Sequence, residues 1–194
     1  RASALATVFA CRSARGELDD ALAAAQTLCE EWPDFPTAWG LHGTALSGLG
    51  RPDEALASFE RALALRPEQD EVAQLLVPLI DLLVRRGMAD EAAAHLAGAL
   101  ELSTGDRTAS FSPHEFLERI VSAVPDPHRV AVLEALDRLG RDGPDRLAVH
   151  VLEAEFLRRL GRLDEALLEL DAARAIQPAG WLVHALAAAI HVGR

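Results

Sequence analysis

Lysine, asparagine and tyrosine are absent from this chain of 194 residues, so all 19 basic side chains are arginine. The arginine bias fits a GC-rich bacterial genome, and it removes lysine and asparagine from any candidate site. Aromatic residues make up only 5%, methionine occurs once and cysteine twice. β-Branched runs and Asn-Gly or Asp-Gly hairpin turns are scarce, which argues against a sheet protein. Positive charge is also in short supply. A formal net charge of −11 argues against a nucleic-acid ligand, because phosphate binding needs clustered cations to release counterions. No run approaches the roughly 20 apolar residues of a membrane span. The chain starts at Arg1 with neither a methionine nor a basic-then-apolar leader. It reads as an excised or trimmed segment of cytoplasmic type.

Hydrophobic residues are plentiful at 50%, and they are mainly alanine and leucine, both strong helix formers. A phrase returns along the chain: a glycine, then an acidic-alanine helix start. It appears as Gly16 with Asp20-Ala21, Gly50 with Glu54-Ala55, Gly87 with Glu91-Ala92 and Gly161 with Glu165-Ala166. Gly16 and Gly50 are 34 residues apart, and Gly50 and Gly87 are 37 apart. Periods of this size indicate stacked helical hairpins.

The first hairpin pairs residues 5–15 with 18–30 and ends at Pro33, and the second pairs 37–49 with 52–65 and ends at Pro67. In the second, Ala55, Leu56, Phe59, Ala62 and Leu63 form one apolar helical stripe. Pro78 falls inside the first helix of the third hairpin, which predicts a kink. Residues 103–110 read as a polar loop, Ser112-Pro113-His114-Glu115 as a helix start with a capping box, and Asp126-Pro127 as another start. The fifth hairpin pairs 144–160 with 163–176, and residues 181–192 form a last helix that is apolar nearly all round.

The run Trp39-Gly-Leu-His42-Gly43-Thr-Ala-Leu46, followed by Gly50, Ala55, Phe59, Ala62 and Pro67, resembles a tetratricopeptide repeat almost position for position. His42 stands where leucine is usual. The resemblance implies an all-α, right-handed superhelical α-solenoid of antiparallel helix hairpins with about 11 helices. It implies a single solenoid over residues 1–194, with repeats at about 2–35, 36–69 and 73–106. A divergent hairpin at 112–140, a repeat at 147–180 and a partial last helix at 181–192 complete it.

In that family the first helix of each hairpin lines a groove that binds a peptide or helix of a partner protein. The resemblance places Thr37, Gly40, Thr44, Ser47, Gln74, Asp81, Arg85, Glu155, Arg158 and Arg159 on this surface. The small residues among them predict an open, weakly polar floor. The three arginines either grip a carboxylate of the partner or pair with Asp81 and Glu155. The absence of lysine and asparagine argues against a chaperone-tail clamp, because arginine can stand in for part of it but not for the asparagine amide.

No catalytic constellation stands out, and no enzyme activity, metal or cofactor is expected. His184 and His191 share a helix face without further ligands, and His150 with Glu153 reads as a surface pair. Cys11 and Cys29 read as free, buried, small hydrophobes, with a disulfide between facing helices as the alternative. The function expected is a non-catalytic interaction scaffold. One alternative is a docking or regulatory arm of a larger enzyme such as a transferase. Another is homo-oligomerisation through the apolar last helix, to be broken by a charge at Leu186.

Overall fold

The computed structural model describes residues 2–105, 112–141, 147–178 and 180–192. Among them are eleven α-helices, one short 3-10 turn at Asp126–His128 and no strand. The helices are α1 Ala2–Ala14, α2 Leu18–Glu31, α3 Pro36–Gly48, α4 Pro52–Ala64, α5 Gln69–Arg85, α6 Ala89–Gly105, α7 Pro113–Ser122, α8 Arg129–Arg141, α9 Leu147–Arg159, α10 Leu163–Ile176 and α11 Trp181–Val192. The all-α hairpin class expected from the resemblance is the class observed.

The recurring glycine phrase has a local physical cause. Gly16, Gly50, Gly87 and Gly161 all take φ between +70° and +76°, a region open to glycine at no steric cost. At each, the following residue donates its backbone N–H to the carbonyl five residues back: Glu17 to Arg12, Arg51 to Leu46, Met88 to Leu83 and Arg162 to Leu157. This double-bonded helix end is the Schellman motif, which satisfies carbonyls that the terminating helix would leave open. The acids that follow sit in the first turn of the next helix, where the positive end of the helix dipole favours them. The alanines that close the phrase, Ala21, Ala55, Ala92 and Ala166, are completely buried.

Contacts divide the chain into two compact units, residues 1–82 and 83–194. In the first, α1 packs on α2, α2 on α3 and α3 on α4. Its core includes Phe9, Leu28, Ala38, Leu46, Phe59 and Leu76. Gly43 lets α3 and α4 approach closely: a Cβ there would lie 3.0 Å from the buried Phe59 ring and 3.1 Å from Ala55 O. The Trp39 indole donates to Pro33 O at 2.8 Å, and its ring lies edge-on to His42 and 6.0 Å from the Arg61 guanidinium. Helix α5 continues through Pro78 from Gln69 to Arg85.

In the second unit α9 is the central element, packing against α6, α7, α8, α10 and α11. From Ala148 to Leu157 nearly every side chain of α9 is buried except that of His150. Ser112 and Glu115 form the expected capping box at the start of α7. Arg138 of α8 forms an ion pair with Asp90 of α6 at 2.6 Å.

Four expectations need correction. Residues 103–105 belong to α6 rather than to a loop, because the helix continues past the predicted polar boundary; 106–110 lie outside the described residues, as do Pro144 and Gly193. Cys11 is exposed rather than buried, whereas Cys29 is buried, and both thiols are free. Burial pushes the Cys29 thiol up to about 11. Helix α11 is not open to solvent all round: Leu182, Val183, Leu186, Ala187 and Ile190 are all buried against its own unit, while Trp181, Ala188 and Ala189 stay exposed on its outward face. Leu186 is therefore a core residue. The fourth correction concerns His150 and Glu153.

Candidate functional site

The residues predicted to line a groove fall into two groups. On α3, Thr37 Oγ1 donates to Glu71 Oε1 of α5 at 2.7 Å. Thr44 Oγ1 donates to the Gly40 carbonyl one turn back at 2.8 Å. Ser47 is half-buried and the neighbouring Gly48 exposed. Gly40 is covered rather than open, because a Cβ there would meet Leu75 Cδ2 at 2.2 Å. Its small size serves the approach of α5. On α5, Gln74 and Arg85 are exposed and Asp81 is half-buried. The result is a run of small side chains on α3 flanked by the half-buried Leu41, with threonine hydroxyls already donating within the protein.

His42, one turn from Trp39, shows how the repeat absorbs an unusual residue. Ser58 Oγ lies 2.8 Å from Glu54 O and 2.9 Å from His42 Nδ1, so it bridges the imidazole to the backbone of α4. Burial, with a smaller contribution from Arg51, pushes the imidazole below its ordinary pKa and keeps it neutral.

The second group lies on α9 and is internal. The Glu155 side chain is wholly buried, and its oxygens accept from Arg158 Nε and Nη2 and from Arg159 Nε, each at 2.8 Å. Burial raises this carboxyl, but the two guanidiniums more than reverse the effect and hold it below its ordinary value. Arg159 also donates to Ser122 Oγ at 3.0 Å and to Glu118 O at 3.2 Å, closing the last turn of α7. Arg158 and Arg159 are thus committed to Glu155, the pairing alternative raised above, and Arg159 ties α9 to α7.

The opposite face of α9 carries a different arrangement. His150 and Glu153 are one turn apart, and Glu169 reaches them from α10. His150 Nδ1 lies 2.8 Å from Glu169 Oε2 and 3.7 Å from Glu153 Oε2. The pair is not on the surface, because the Glu153 side chain retains only 9% exposure. Burial, then the neighbouring Glu169, pushes the Glu153 carboxyl up to about 8. Sequence reasoning missed Glu169, which is 19 residues from His150 and on the next helix. The Gly161 chain reversal between α9 and α10 was the signal that brings them together.

Helix hairpins closed by Schellman glycines and packed through small residues such as Gly43 define an α-solenoid built for helix-on-helix stacking. A family profile for the tetratricopeptide repeat matches residues 12–70 and 41–107, and the chain belongs to that family. Its proteins are generally non-catalytic scaffolds for protein–protein interaction. Among solved structures it is similar to the nearly identical TPR-like repeats of a putative kinesin light chain from Podosopora anserina, with 16% identity and a TM-score of 0.51. That match covers 90% of this chain and 94% of the other. It is also similar to a thermophilic TPR protein of Thermus thermophilus, with 19% identity and a TM-score of 0.49 over 99% and 100% of the two chains. A third is YrrB, described as a TPR protein with an unusual peptide-binding site, with 22% identity and a TM-score of 0.44 over 95% and 91%. No curated protein gives a significant sequence match. Among the described residues no helix is long and apolar enough to cross a membrane.

Proposed function

We propose that this protein is a non-catalytic scaffold that holds a peptide or helix of a partner protein on the face formed by α3 and α5. The observation that carries this reading is the α3 face itself. Thr37, Thr44, Ser47 and Gly48 present no long side chain, and Thr37 and Thr44 direct their hydroxyl protons internally. Such a surface lets another backbone approach closely and rewards small or apolar partner residues, as in helix-in-groove recognition. Gln74 and Asp81 on α5 supply the polar contacts that set register. Arg158, Arg159 and Glu155 are left to stability. The net charge of −11 favours a basic or neutral protein partner over nucleic acid. The two free thiols fit a reducing, cytoplasmic setting.

Peptides selected from a display library on the intact chain test this, with affinity read by fluorescence anisotropy. Thr44→Glu and Ser47→Glu should each weaken the selected peptides at least about tenfold, the effect of a charge forced into a close contact. Glu165→Ala, on α10, should leave affinity unchanged. Undiminished binding in both glutamate variants would remove the α3 face from the account.

A further inference from the structure

The interior of the second unit contains a side-chain cluster that peptide binding does not use. His150 and Glu153 project from one face of α9, and Glu169 meets them from α10. One ligand atom from each lies within 4.8 Å of the others. The charged groups acting on Glu153 besides His150 are Glu169 and Asp137, both acidic. Nearby Arg158 and Arg159 turn away to Glu155. A nearly buried carboxyl, a partly buried carboxylate and an imidazole thus converge on one point between α9 and α10.

We propose that His150, Glu153 and Glu169 form a site for a divalent transition-metal ion of the zinc class, which staples α9 to α10. Zinc bonds imidazole nitrogen and carboxylate oxygen at about 2.0–2.2 Å, so tetrahedral ligands stand about 3.4 Å apart. The observed separations of 2.8 Å and 3.7 Å about His150 Nδ1 bracket that distance. Small rotamer changes at Glu169 bring all three into a shell. The His150 and Glu169 side chains keep 22% and 31% exposure, which gives an ion a way in and leaves a coordination position for water. Two anionic ligands and one imidazole suit a borderline ion better than the all-oxygen shells of calcium or magnesium. The ion would displace the proton of Glu153 to solvent, bridge the three side chains and lock the packing of adjacent helices. This is a structural role and needs no open catalytic position.

The experiment uses the intact chain, stripped with a chelator and titrated with Zn²⁺ by calorimetry and by thermal unfolding. We expect one site per chain and a higher Tm on addition of zinc, because an ion bound only by the folded state stabilises it. His150→Gln and Glu169→Gln should each weaken binding by at least about tenfold, in line with the loss of one ligand from a small shell. Both positions are partly exposed, and a circular dichroism spectrum matching the parent verifies that each variant folds. His184→Gln with His191→Gln should bind like the parent. Absence of one-site binding, or binding that persists undiminished in Glu169→Gln, would overturn the assignment. Binding lost only in the His184 and His191 variant would move zinc to the surface of α11 and overturn it equally.

Discussion

At the residue scale, two glycines with the same helical surroundings in sequence have opposite roles in space. Gly43 lies against the fully buried Phe59 ring and the Ala55 carbonyl, whereas a Cβ at Gly98 of α6 meets nothing within 4 Å. Gly43→Ala should destabilise by about 1–2 kcal/mol through overpacking, despite the better helix propensity of alanine. Gly98→Ala should stabilise by about 0.5–1 kcal/mol, since propensity acts there unopposed. Urea unfolding midpoints of the two variants against the parent check both signs. His42 offers a third test at this scale. Its folded pKa is depressed, so its contribution to stability is complete above the ordinary value of 6.5 and is lost as pH falls through the folded value. His42→Leu, the family's usual choice, leaves Ser58 still bonded to Glu54 O. That variant should lose less stability than the parent between pH 7 and pH 5 in thermal melts.

Among the helices, α9 is the one on which most depends. It buries two acids on opposite faces and treats them differently: Glu155 is neutralised by two arginines, and Glu153 faces other acids. Arg159→Ala takes one guanidinium from a buried carboxylate and two hydrogen bonds from the end of α7. The expected loss is about 1.5–3 kcal/mol, because Arg158 still pairs with Glu155 and only the charge-assisted bonds of Arg159 are removed. Chemical denaturation measures it. What could be foreseen here divides along the same line. The Schellman glycines, the Ser112 capping box and the Ala55–Phe59–Ala62 stripe are set by residues within a few positions of one another, so their spacing in the chain shows them directly. The His150–Glu169 contact, the burial of Leu186 and the exposure of Cys11 depend on which helix lies alongside. Composition read along one helix cannot say which neighbour that is. Helix α11 illustrates this, being apolar enough to look unpartnered until its inward face is seen filled.

At the scale of the whole molecule, acid should act in stages. Glu54, Glu115, Glu155 and Glu165 all have carboxyls below their ordinary value, held there by Arg51, by the Ser112 cap, by Arg158 with Arg159 against an opposing burial effect, and by Arg162 respectively. Lowered carboxyl pKa values mean stability that is present above about 4.5 and lost as pH falls through the folded values. Between about pH 8 and 4.5 the raised Glu153 carboxyl adds stability as it takes up its proton and opposes the loss from His42, and below about 4.5 unfolding midpoints measured down to pH 3 should decline steeply. Glu155 should dominate the second stage, because the other three are exposed and screened by solvent. The glycine reversals also bear on how such a chain lengthens. Each Schellman end closes its own backbone hydrogen bonds, so a hairpin copied in tandem arrives with its chain reversal already complete. Gene duplication can then add whole hairpins without opening an unpaired backbone group at the join. Ala21, Ala55 and Ala92 stay completely buried although they are 34 and then 37 residues apart. Repeat number is free to drift in such an architecture, and repeat length can stretch by a few residues between one glycine reversal and the next.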